Sequence, residues 1–137
     1  MVWTASCPER RRNHAIALVL EDDPTFEAVL LEVLADEGLE PRACESYQAL
    51  RDTARTLRPA VIVADYWGKG HLELSPDERG SIRELGQFAP TLLLTGRTWA
   101  LTARAEDLGV VSVLAKPVDL DQLMAGVGSC LARAHPS

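Results

Sequence analysis

Two apolar runs in this chain end abruptly at carboxylates. Ala15-Ile16-Ala17-Leu18-Val19-Leu20 stops at Glu21-Asp22-Asp23, and Ala60-Val61-Ile62-Val63-Ala64 stops at Asp65. Two later runs end in different chemistry: Thr91-Leu92-Leu93-Leu94 at Thr95, and Val110-Val111-Ser112-Val113-Leu114-Ala115 at Lys116-Pro117. Carboxylates that converge on one pocket repel unless a cation joins them or their pKa values rise. An all-oxygen donor set favours Mg²⁺. A carboxylate beside such an ion, with a lysine and a hydroxyl opposite, makes a cradle for a phosphoryl group in transfer. Asp65 is then the candidate nucleophile, because aspartate can form an acyl phosphate. Lys116 would offer a point charge to one phosphoryl oxygen and Thr95 a hydroxyl to another.

These residues meet only if the elements carrying them lie side by side. Short, continuously apolar runs are the pattern of strands buried on both faces, which belong to parallel sheets. Helical signals separate them. Asp23 is an N-cap followed by Pro24, with Phe26, Val29, Leu30, Val33 and Leu34 on one face up to Gly38. Glu40 to Cys44 can form a second strand, and Ser46 caps a helix with Ala49, Leu50, Ala54 and Leu57 on one side, ended by Pro59. Ser75-Pro76-Asp77-Glu78 is a capping box leading into Ile82, Leu85 and Phe88. A short helix is expected from Thr98 to Leu108, closed by Gly109. Asp119 caps a last helix expected to turn Leu120, Leu123, Met124, Val127 and Leu131 inward. The βα alternation, five times over, predicts an α/β fold with a parallel sheet covered on both faces by right-handed crossovers. In such sheets the functional crevice lies beyond the carboxyl ends of the strands, where the four endings stand.

A chain of 137 residues fits one domain, here 14–134 after an N-terminal extension at 1–13. Its 47% apolar and 25% charged residues predict a folded core, and a net charge of −6 argues against general nucleic-acid binding. No apolar stretch approaches the ~20 residues of a membrane span, and no cleavage site follows the run after Arg10-Arg11-Arg12, so a cytoplasmic location is expected. Cys7, Cys44 and Cys130 form an odd set without a C-x-x-C pair, consistent with reduced thiols. His71 is read as solvated, and Trp67 and Trp99 either as a partner surface or as partly buried packing.

Leu18-Val19-Leu20-Glu21-Asp22-Asp23-Pro24, Val61-Ile62-Val63-Ala64-Asp65, Leu93-Leu94-Thr95-Gly96 and Leu114-Ala115-Lys116-Pro117, in that order, resemble the receiver domain of bacterial response regulators. The resemblance runs from about Ile16 to Leu131. It implies a flavodoxin-like, doubly wound five-stranded sheet of order 2-1-3-4-5. It also implies phosphorylation of Asp65 by a sensor histidine kinase or histidine phosphotransfer protein. Glu21, Asp22 and Asp65 would hold Mg²⁺ together with the backbone carbonyl of Trp67, while Thr95 and Lys116 would read the phosphoryl group. Output would pass to an unknown downstream protein, with homodimer formation left open. The chain departs from the family in the loop Tyr66-Trp67-Gly68-Lys69-Gly70-His71, in Val113 where an aromatic residue is usual, and in a slightly short span between Thr95 and Lys116.

Two other functions compete with a stand-alone phospho-switch. A receiver-like interaction module that no longer takes phosphate is suggested by the loop and by Val113. A small phosphohydrolase would share the aspartate nucleophile and Mg²⁺, but Trp67 stands where its second aspartate is needed.

Overall fold

Each apolar run becomes one parallel strand of a single sheet. A computed structural model describes residues 15–65, 74–96 and 103–134. The strands are β1 (Ile16–Glu21), β2 (Glu40–Cys44), β3 (Val61–Asp65), β4 (Thr91–Thr95) and β5 (Ser112–Ala115). Between and after them lie α1 (Pro24–Asp36), α2 (Tyr47–Leu57), α3 (Pro76–Phe88), α4 (Ala105–Leu108) and α5 (Leu120–Ala134). All strand pairs are parallel, in the order β2-β1-β3-β4-β5. This is the flavodoxin-like 2-1-3-4-5 arrangement that the resemblance implies, in the parallel sheet that the α/β alternation predicts. Strand order reverses between β1 and β3, so the crevice at their carboxyl ends is the place where such folds bind ligands.

The interiors of β1, β3 and β4 are apolar because both faces are covered, whereas β2 (Glu40-Pro41-Arg42-Ala43-Cys44) is an edge strand with Arg42 and Ala43 exposed. Leu18, Leu20, Ile62, Ala64 and Leu93 point into one core with Leu50, Ile82, Leu85 and Leu108 from α2, α3 and α4. Ala17, Val19, Val61, Val63, Leu92 and Leu94 point into the other with Leu30 and Leu34 of α1 and Leu123, Val127 and Cys130 of α5. Each fully buried leucine or isoleucine contributes roughly 1.5–3 kcal/mol. The registers place Glu21 opposite Asp65, and Thr95 opposite Ala115 beside Lys116.

The predicted caps form. Asp23 Oδ1 accepts from the Thr25 N–H at 3.0 Å with Pro24 opening α1. Ser46 Oγ accepts from the Ala49 N–H at 3.1 Å. Ser75 and Glu78 close a reciprocal box, with bonds of 3.1 and 2.8 Å. Asp119 Oδ1 accepts from the Gln122 N–H at 2.8 Å.

Three expectations change. Val29, Leu120 and Met124 are 40%, 53% and 43% exposed rather than inward, because the apolar stripes of α1 and α5 are wider than the strip each helix lays on the sheet. The short helix begins at Ala105, since Arg104 has extended dihedrals (φ −106°, ψ 129°), so residues 103 and 104 do not belong to it and 98–102 lie outside the described residues. The fifth strand starts at Ser112: the Val110 N–H instead closes α4 by donating to the Ala105 carbonyl at 3.1 Å.

α4 is tied to α3 by contacts that its own sequence does not announce. The Arg83 guanidinium donates from Nε and Nη2 to the Asp107 carbonyl at 3.1 and 2.8 Å. Gly109 turns the chain at φ 73°, and a Cβ on Gly86 would stand 2.0 Å from its carbonyl oxygen, so Gly86 is required for this close approach.

Candidate functional site

The last rung of the β1–β3 ladder sets Glu21 beside Asp65. Glu21 ends a strand buried from Ala17 onward, and its own side chain is fully buried, while the Asp65 side chain is 14% exposed. Asp22, the next residue, is exposed in the turn into α1, and carboxylate oxygens of Glu21, Asp22 and Asp65 lie within 4.8 Å of one another. This all-oxygen, partly enclosed donor set suits a hard divalent cation.

Lys116 enters from β5. Its N–H donates to the Thr95 carbonyl at 2.7 Å, continuing the β4–β5 ladder past Ala115. The ammonium then reaches across the sheet, donating to Glu21 Oε1 at 3.0 Å and Oε2 at 3.1 Å, and to Asp65 Oδ2. It also lies 5.1 Å from the centroid of the Phe26 ring in the first turn of α1. Thr95 is buried at the end of β4.

The electrostatics follow from this enclosure. Burial pushes the Glu21 carboxyl up to about 7, with the charge of Asp65 adding to the effect; the Asp23 backbone N–H and Lys116 act against it. Burial would lower the Lys116 pKa, but its bonds to Asp65 and Glu21 outweigh that and raise it. The lysine therefore stays charged and supplies, among the carboxylates, the positive charge that such a cluster needs.

The structure thus brings together Glu21, Asp22, Asp65 and Lys116, with Thr95 on the neighbouring strand end. Trp67, expected to offer its carbonyl, lies outside the described residues, as do His71, Trp99 and Cys7. Val113 is half-buried and packs at the edge of the core under α2, α3 and α4. Phe26 was expected only as a core-facing helix residue, and its approach to Lys116 was missed. Its position two residues after Pro24, within the turn next to the acids, was the available signal. Beside the site a cavity of about 540 Å³ opens between α1 and the segment after β5, lined by Phe26, Val29, Lys116, Pro117 and Val118 with Asp23 and Thr25.

No protein-family model matches the chain, and no curated protein matches it. Solved structures do. A chemotaxis response regulator of Vibrio cholerae superposes with a TM-score of 0.65 at 19% identity, covering 87% of this chain and 100% of that one. A response regulator receiver domain protein of Clostridium thermocellum gives 0.64 at 22% identity, covering 87% and 95%. A CheY-like receiver domain protein of Methanospirillum hungatei gives 0.66 at 15% identity, covering 89% and 97%. Fold and strand order therefore match those of receiver domains. The described residues that carry the strand-end acids, threonine and lysine thus sit in the receiver fold. The same fold also occurs inside a longer protein, NtrX of Brucella abortus, of which the match covers 28%.

Proposed function

We propose that this chain is a response-regulator receiver that accepts a phosphoryl group on Asp65. The observation that carries the reading is the meeting of Glu21 and Asp65 on one rung with the Lys116 ammonium bonded to both. The donor is a histidine kinase or a histidine phosphotransfer protein. In the transfer an Asp65 carboxylate oxygen forms a bond to phosphorus as the phosphorus–nitrogen bond of the donor phosphohistidine breaks, and the imidazole departs. Glu21, Asp22 and Asp65, with the Trp67 carbonyl, are the residues that would hold Mg²⁺, which when bound offsets charge on the phosphoryl oxygens. Lys116 holds one of those oxygens by its charge, and Thr95 donates its hydroxyl to another. Added charge at Asp65 then draws Thr95 and Lys116 inward, and the changed surface passes the signal on by protein contact.

Acyl phosphate donor plus Mg²⁺ tests this directly. Intact-mass analysis is expected to show one added phosphoryl group on the wild type and none on Asp65→Asn. An unmodified wild type at saturating donor would reject the reading. It would leave the alternative, a receiver-like interaction module without phosphate, which Val113 favours because no aromatic side chain stands there to follow Thr95.

A further inference from the structure

We propose that Phe26 is a positioning residue for Lys116, an inference that rests on the phosphoacceptor reading and adds to Glu21 and Asp65 a third partner for the ammonium. The Lys116 ammonium has carboxylates on one side, Glu21 and Asp65, and the face of the Phe26 ring on another, 5.1 Å from the centroid. That distance is within the range over which an aromatic quadrupole attracts a cation. Neither partner is free to drift. Phe26 lies in the first turn of α1, whose start is set by the Asp23 cap and Pro24, and the ring packs on the buried core around Leu30 and Leu34. Lys116 is held by its backbone to Thr95.

The arrangement has a consequence for the reaction. On turning toward an incoming phosphoryl group the ammonium gives up carboxylate bonds in exchange for a phosphoryl oxygen. With its ammonium also against the Phe26 ring, Lys116 keeps an attractive partner at the mouth of the cavity that both residues line. Phe26 therefore sets where the ammonium stands when Glu21 and Asp65 are otherwise engaged.

The test uses the full chain and exploits its two lysines, Lys69 and Lys116. Lysine labelled with ¹³C gives two ε-methylene signals, and Lys116→Arg assigns them. In the wild type and in Phe26→Tyr the Lys116 signal is expected to be shifted upfield by the ring; in Phe26→Leu it is expected to move to the unperturbed position. Labelling by acyl phosphate at saturating Mg²⁺ is expected to slow about three- to tenfold in Phe26→Leu and to stay within about twofold of wild type in Phe26→Tyr. Melting curves confirm that both variants fold. An unchanged lysine signal in Phe26→Leu, or a lost ring shift with an unchanged labelling rate, overturns the proposal. Absence of any adduct on the wild type would instead reject the phosphoacceptor reading, and the lysine signal would still decide whether Phe26 positions Lys116.

Discussion

Glu21 has the most costly position of the site's charged groups, because its carboxyl is enclosed while those of Asp22 and Asp65 reach water. With its pKa raised to about 7 by burial, the folded chain keeps a proton that the unfolded chain releases near the ordinary carboxylate pKa. In divalent-free buffer stability should therefore fall as the pH rises from about 5 to about 7, by about 1–2 kcal/mol, and level off above that. Glu21→Gln should flatten this slope, as urea midpoints across the window would report. Lys116→Met removes the cation that faces Glu21 and should cost about 1–3 kcal/mol at neutral pH in the same buffer. Recovery of part of that loss on adding Mg²⁺ is the expected outcome if the acids hold the ion. These residues were legible before the fold was, because acids, a threonine and a lysine close four apolar runs in one informative order, although no single run is decisive. Phe26 was not, since helical spacing places a residue on a face but does not say that a lysine from β5 will end above it.

Helix capping follows local sequence, whereas the docking of one helix on another follows tertiary contacts. The Ser75–Glu78 box is self-contained, and Ser75→Ala should lower stability by about 1 kcal/mol with α3 retained, measured by denaturant unfolding. Gly86 belongs to the second kind. Its replacement by alanine drives a methyl into the backbone at Gly109, and a loss of about 2–3 kcal/mol is expected, with the melting temperature as the check. The caps were readable because they depend on side chains within three residues of the helix start. The start of α4 was not, because the extended dihedrals of Arg104 are not announced by any capping side chain there. The inward assignment of Val29, Leu120 and Met124 failed for a related reason: apolar spacing shows which side of a helix is greasy, not how much of that side the sheet covers.

For the molecule as a whole, the two cores on either side of the sheet carry the stability, and neighbouring positions of one helix should differ accordingly. Leu30→Ala, in the core under α1, should cost about 2–5 kcal/mol, whereas Val29→Ala one residue away should stay within about 0.5 kcal/mol, as urea unfolding would show. The buried Cys130 thiol, its pKa pushed up to about 11 by that burial, is expected to react with thiol reagents only when the chain unfolds. Among the described residues no helix is long and apolar enough to cross a membrane.

The shared rung of Glu21 and Asp65 also divides the site mechanically. Both acids continue central strands that are hydrogen-bonded on each side, so their spacing can change only if the middle of the sheet deforms. Lys116 instead follows an edge strand that has a neighbour on one side alone. A rearrangement that accompanies occupancy is therefore expected to involve β4 and β5 more than the β1–β3 pair, which acts as the stationary jaw of the vice.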